Sequence, residues 1–221
     1  MITNSPMFNE AKAIANFGGR FAFATSLGRD SAVMLHIMNQ LTDLKKHKFF
    51  HWSFYPQLLP YQSKYLEKVK KMYGIEVDVF LHPNMIKKKQ MPWVVDYTES
   101  NGCNLALFGY KMADSLQRRG MLNKLTDGID YQRKWAYPLR SWSTKTLRGY
   151  ITANKVPLNI EYNLGMPHEM NEHRGNQAFI LRHMIGEEDY QAAIAQDPRV
   201  EIDYIRSLHD EEFQRILRDE K

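Results

Sequence analysis

The chain is 221 residues long, 43% hydrophobic and 25% charged, with a formal net charge of +5. That size supports one packed domain, or one with an appendage, and no apolar run approaches the roughly 18 residues that a membrane-spanning helix needs. Cys103 is the sole cysteine, which excludes an internal disulfide and an all-cysteine iron–sulfur cluster held by this chain alone. The N-terminal Met1-Ile-Thr-Asn-Ser-Pro lacks the basic-then-apolar order of a signal peptide, so a soluble, cytoplasmic protein is expected. The charge is uneven: residues 1–160 carry 23 basic against 11 acidic side chains, and residues 161–221 carry 7 against 14. A basic body of this kind attracts polyanions, and nucleotide phosphates would suffice. Nucleic acid is the less favoured partner, with Lys45, Lys46, Lys48, Lys68, Lys70, Lys71 and Lys87–Lys89 as candidate contacts.

In chain order, Asn9 to Asn16 reads as a helix, followed by an apolar strand at 21–24. From Asp30, the apolar residues Val33, Met34, Ile37, Met38 and Leu41 recur at helical spacing. Next come a strand near 49–54, a helix over 61–73 ended by Gly74, a strand at 76–80, a loop and helix around 84–101, and a strand at 105–108. Helix spacing alternates with short apolar strands as in a doubly wound, mostly parallel α/β sheet, whose ligands sit beyond the carboxyl ends of its strands. Beyond Pro167 the pattern turns helical and polar over Gln177–Ile185, Asp189–Ala195 and Glu211–Leu217. The expected organisation is therefore an α/β domain over 1–165 and a helical appendage over 166–221.

The most informative segment is the turn between the first strand and its helix. Thr25 and Ser26 offer hydroxyls, Gly28 permits close backbone approach, and Asp30 or Ser31 can cap the helix. Backbone N–H groups and the positive end of the helix dipole converge where an anion could sit, and Arg29 adds a forked cation suited to phosphate.

Ser26-Leu-Gly-Arg-Asp-Ser31 resembles the Ser-Gly-Gly-Lys-Asp-Ser pyrophosphate loop of the PP-loop adenine-nucleotide alpha-hydrolase superfamily, with Leu27 in place of the first Gly and Arg29 in place of the Lys. The form looks closest to the phosphoadenosine phosphosulfate (PAPS) reductases and the small subunit of bacterial ATP sulfurylase. Gly109-Tyr-Lys-Met-Ala-Asp-Ser-Leu-Gln-Arg118 resembles the family's Gly-x-Arg-x-x-Glu-Ser-x-x-Arg, with Lys111 at the Arg and Asp114 at the acidic position. Residues 137–151 resemble its Pro-Leu-x-x-Trp-Thr-x-x-x-Val-x-x-Tyr-Ile segment, in which Ser143 or Thr144 caps a helix while Trp142 and Tyr150 pack. The likeness covers roughly residues 20–165 and implies a HUP-like fold.

It also implies a chemistry: ATP, or a PAPS-like nucleotide, held with Mg²⁺ and cleaved at the α-phosphate, with AMP passing to an unidentified acceptor. The nucleotide would be bound by Thr25, Ser26, Gly28, Arg29, Asp30, Ser31 and Gly109, with Arg29, Lys111 and Arg118 as catalytic cations, Arg119 beside them, and Asp30 the candidate for Mg²⁺. Alternatives are a sulfonucleotide enzyme, adenylylating sulfate or reducing PAPS with an external thiol, and a degenerate nucleotide-binding module acting through a protein or nucleic-acid partner; a partner protein or a homo-oligomer fits either. Similar reductases carry a cysteine near the C-terminus and this chain has none; Cys103, just before a buried strand, reads as an apolar filler. His36 and His51 read as core or edge residues, and Trp93, Tyr97, Trp142 and Tyr150 as core. His168 and His173, five residues apart, miss the i, i+4 spacing of a zincin histidine pair, and with Glu169 and Glu172 they read as a solvated cluster.

Overall fold

The apolar run at 21–24 forms β1 (Phe21–Thr25), buried along nearly its whole length because strands pair with it on both sides. In this computed structural model, residues 5–53, 57–81, 90–163 and 178–210 are described. β2 (Lys48–Ser53) runs parallel to β1 with Thr25 opposite His51, and β4 (Leu105–Leu107) runs parallel on the other side with Phe23 opposite Leu107. β3 (Asp78–Leu81) flanks β2. Two short strands, β5 (Ile129–Asp130) and β6 (Trp135–Ala136), complete the sheet in the order β3-β2-β1-β4-β6-β5, with β6 parallel to β4 and β5 antiparallel to β6.

The helices follow from the spacing of their apolar residues. α1 (Asn9–Phe17) buries Ala11 and Ile14, and α2 (Arg29–Leu41) buries Val33, Met34, Ile37 and Met38. α3 (Pro60–Tyr73) ends at Gly74, which takes a left-handed φ of 61° that a glycine accepts without strain. α4 (Gln90–Ser100), α5 (Leu116–Leu122) and α6 (Thr144–Asn154) complete the α/β part. Ser143, rather than Thr144, caps α6 by accepting the Thr146 N–H at 3.0 Å. Trp142, Tyr150 and Phe8 pack edge to face, as expected of core residues. Trp93 and Tyr97 likewise stack on each other and pack against Phe50 and Phe80.

The β5–β6 hairpin is absent from the sequence reading. Its loop is the turn at 131–134, and just before β5 a second tight turn is marked in the sequence: Asp127 and Gly128 both have positive φ, and Thr126 pairs with Ile129 across them, as an Asp-Gly dipeptide favours. A Cβ at 128 would meet the Tyr137 carbonyl oxygen at 2.9 Å, so glycine is required there.

The chain divides into two compact units, Met1–Trp52, Leu66–Phe80 and Asn84–Pro157 in the first, Ser53–Tyr65, Leu81–Pro83 and Leu158–Lys221 in the second. The second thus takes in residues 53–65 besides the C-terminal helices. Its described part holds α7 (Ile160–Asn163), a π-helical turn Leu181–Ile185, α8 (Glu187–Gln196) and α9 (Arg199–Leu208). Leu59, Ala178, Leu181, Tyr190, Ala193, Val200 and Tyr204 form its core. Buried Asp189 accepts the Tyr61 N–H at 2.9 Å, a carboxylate set at the start of α3 where the helix dipole favours it. α9 goes beyond the helices read from sequence. The expected helix at Glu211–Leu217, the His168–His173 set and Lys87–Lys89 lie outside the described residues. Among the described residues no helix is long and apolar enough to cross a membrane.

Candidate functional site

β1 sits between β2 and β4, so the connection to the next strand in sequence leaves β1 on one side and the connection from β3 returns on the other. A parallel sheet opens a crevice at such a reversal, beyond the carboxyl ends of its strands. The turn after β1 and the turn after β4 both lie there, and they touch: a Cβ built on Gly109 would stand 3.1 Å from the Asp30 carbonyl carbon and 3.2 Å from the Asp30 Cβ and carbonyl oxygen. A Cβ at 109 would require the Asp30 backbone to give by a few tenths of an ångström.

The first turn is shaped by its own hydroxyls. Buried Thr25 accepts the Leu27 N–H with Oγ1 at 3.3 Å, and Ser26 Oγ accepts the Gly28 N–H at 3.3 Å. Ser31, also buried, donates Oγ–H to the Gly28 carbonyl at 2.8 Å. α2 begins at Arg29 with Gly28 as its cap, so Asp30 and Ser31 occupy the first turn instead of capping it. The first intrahelical bond runs from Ala32 N–H to Gly28 O at 3.0 Å, and the amides of Asp30 and Ser31 precede it, facing out of the helix end where an anion is favoured. Ser26 is the one hydroxyl of the three that reaches the surface.

Leu27 stands where the resembled loop has glycine. Its φ is +60°, the left-handed conformation that glycine adopts freely and a leucine accepts at a cost of about 1–2 kcal/mol. Its side chain is only 2% exposed. The leucine therefore keeps the bend and buries its bulk in the core, leaving the outer side of the turn open.

The second turn supplies a charge network. Lys111 is fully buried, with Nζ 2.7 Å from Asp30 Oδ1 and 2.7 Å from Asp114 Oδ1. Both are ion pairs. Asp114 also accepts the Lys111 N–H at 2.9 Å and the Arg118 Nη1–H at 2.6 Å with Oδ2. Burial alone would raise the Asp114 carboxyl; its hydrogen bonds and charge contacts with Lys111, then Arg118, outweigh that and hold it below the ordinary carboxylate range. Arg118, 40% exposed, lies with its guanidinium 4.2 Å from the centre of the Tyr110 ring. Lys111 precedes α5, so Lys111 and Arg118 converge through Asp114 and not along one helical face. Ser115 caps α5 by accepting the Arg118 N–H, and Arg119 is exposed.

Sequence reasoning assigned no role to Tyr110, nor to the link between His51 and the loop. His51 donates Nδ1–H to the Thr25 carbonyl at 2.8 Å, tying the ends of β1 and β2, and burial lowers its pKa. His36 shares a hydrogen bond with the Tyr150 hydroxyl at 2.9 Å and packs α2 against α6, as a core histidine does. Cys103 lies at the amino end of β4, the edge of the sheet opposite these turns, and burial raises its thiol pKa. Asp30 has Oδ1 engaged by Lys111, which leaves Oδ2 for a metal; Mg²⁺ in nucleotide sites takes one or two carboxylates together with substrate phosphates, a pattern that Asp30 and the Ser26 hydroxyl suit. Among the described residues no three His, Cys, Asp or Glu side chains cluster as a metal site.

Several solved structures superpose on this chain. Candida glabrata FMN adenylyltransferase superposes with a TM-score of 0.51 at 11% identity, over 66% of this chain and 50% of that one, and its complex with FMN and the ATP analogue AMPCPP does so with 0.51 at 11%, over 66% and 51%. PAPS reductase from Candida auris, as a phosphate complex, superposes with 0.50 at 13% identity, over 74% of this chain and 87% of that one. The chain shares the mostly parallel α/β fold of these structures. It spans about half the length of the FMN adenylyltransferase, and at these identities the likeness speaks for the fold alone. No family model matches the sequence, and no curated protein matches it.

Proposed function

We propose that this chain is an enzyme that binds ATP or a related adenosine nucleotide in the turn at 25–31 and acts at the α-phosphate, passing AMP to an acceptor and releasing pyrophosphate. The observation that carries this reading is the contact of Gly109 with Asp30, which brings a hydroxyl-shaped helix start and a cation-bearing turn together at the sheet's reversal point. Adenylyl transfer consists mostly of positioning and charge neutralisation, so amides at a helix start and preplaced cations are the groups it needs. In this reading the Asp30 and Ser31 amides and the Ser26 hydroxyl hold phosphate oxygens. Arg29, at the first position of α2, and Arg118 supply positive charge, while Lys111 fixes Asp30 and Asp114 in place. Mg²⁺, when bound, would neutralise phosphate charge beside Asp30. The reported complexes of the FMN adenylyltransferase with an ATP analogue and of the PAPS reductase with phosphate agree in kind.

Reduction of a sulfonucleotide by this chain's own thiol fits less well, because Cys103 is buried at the opposite edge of the sheet. The test is incubation with α-labelled ATP and Mg²⁺, with sulfate, FMN or cell extract as acceptor source. Labelled AMP adduct together with pyrophosphate is expected. Release of ADP and phosphate alone, or no rise in melting temperature with any adenosine nucleotide, overturns the reading.

A further inference from the structure

The edge of the sheet opposite the two turns carries a second feature that nucleotide chemistry does not use. The connection from α2 to β2 contains Lys45 and Lys46, and α3 carries Lys68 and Lys71 before it ends at Gly74 on the way to β3. Both connections enter strands, so both lie at the amino edge. They also meet: the Lys45 side chain crosses the α3 terminus so closely that a Cβ on Gly74 would come within 2.9 Å of Lys45 Cε. Lys68 and Lys71, three residues apart, share one face of α3.

All four lysines are exposed, and among the described residues none of the four ammonium groups pairs with a carboxylate. Their neighbour Lys70 behaves differently, held by Glu67 at 3.4 Å and Glu76 at 3.6 Å. Lys70 thus engages Glu67 and Glu76, while the Asp43 carboxylate accepts the Lys45 backbone N–H at 3.1 Å and pairs with none of the four ammonium groups.

We propose that Lys45, Lys46, Lys68 and Lys71 form a docking surface for the phosphate backbone of a nucleic acid, separate from the nucleotide site. Flexible lysines bearing compact charges suit a polyanion recognised by charge and spacing, without base readout. The excess of 23 basic over 11 acidic side chains in residues 1–160 adds long-range attraction of the same sign. The surface lies at the far edge from the turn at 25–31, so a bound strand would leave the nucleotide site free.

The test is fluorescence anisotropy of the full chain with a labelled, mixed-sequence single-stranded oligonucleotide over a salt series, comparing wild type with the quadruple Lys45→Glu/Lys46→Glu/Lys68→Glu/Lys71→Glu variant and with the milder quadruple Gln variant. Wild-type binding should weaken steeply with salt, and the variants should lose at least tenfold in affinity, with a log–log salt slope reduced by roughly 3. Nucleotide-induced thermal shifts should be the same in all three proteins, which also shows that the variants fold. Unchanged oligonucleotide affinity in the variants, no binding by wild type at low salt, or binding only to anionic phospholipid vesicles each overturns the proposal.

Discussion

Gly109 packs against the backbone of Asp30 so tightly that no Cβ fits between them without movement, the nearest atom being 3.1 Å away. Gly109→Ala should therefore loosen the turn at 25–31, destabilise the protein by about 1–3 kcal/mol as an overpacked contact does, and weaken nucleotide binding. Gly149→Ala is the control, since a Cβ there meets nothing within 4 Å and lies inside α6; it should be neutral or stabilise by roughly 0.5–1 kcal/mol. Urea denaturation of both variants decides it, and equal stabilities would remove the argument for close packing at 109.

Lys111→Met should be among the most damaging single changes. It leaves Asp30 and Asp114 facing each other without their shared cation, and removing one member of a buried ionic set costs about 3–5 kcal/mol. The Lys111→Met/Asp114→Asn double variant should recover part of that loss, because one of the stranded carboxylates is gone. A double variant no more stable than the single one would show that the three groups do not act together.

Leu27→Gly separates backbone strain from burial. Glycine relieves about 1–2 kcal/mol at a φ of +60°, but the lost leucine leaves a cavity worth about 2–5 kcal/mol. A net loss of stability with unchanged nucleotide affinity is expected. Affinity that rises severalfold in thermal-shift titrations would mean that the leucine obstructs the turn after all.

Stability should fall with acid below neutrality, and His47 is the main reason. Its Nδ1 accepts the Phe21 N–H at 3.2 Å, its Nε2 meets Thr42 Oγ1 at 2.9 Å, and its ring stacks on Phe21. Burial, with minor contributions from Arg20 and Lys46, pushes its pKa down to about 4 against an opposing pull from Asp43. The unfolded chain takes up this proton near pH 6.5 and the folded one does not, so stability is complete above that pH and drains away toward about pH 4. His51 and His36, also lowered by burial, add in the same direction. Asp114, held below the usual carboxylate range, adds a further loss beneath about pH 4. Chemical denaturation between neutral pH and pH 4 should show this slope, flattened in His47→Gln; an unaltered slope would assign the loss elsewhere.

The strands at 21–25 and 105–107 and the helix from 29 were legible because apolar periodicity registers burial directly, and the two turns because hydroxyls, glycine and cations cluster there. β5 escaped notice because two residues are too few to show any period, although Asp127-Gly128 marks the turn leading into it. α9 begins at Arg199 after Pro198; its buried Val200, Tyr204 and Ser207 stand at helical spacing, but the polar Ser207 and the exposed Ile202, Ile205 and Leu208 blur the apolar stripe. The resemblance pointed to Lys111 as a cation for phosphate; that both 2.7 Å neighbours of its ammonium would be carboxylates depends on the meeting of two turns 80 residues apart, which no local pattern encodes.

The sealed Lys111 ammonium also sets a rule for engineering. A segment such as 26–31 invites grafting onto other sheets as a portable anion cradle, yet its Asp30 is only half of an electrostatic clasp whose other half is Lys111 and Asp114. A transplant that leaves them behind would deliver an aspartate with no countercharge beside it. The smallest transferable module is the strand pair β1 and β4 with both of their outgoing turns.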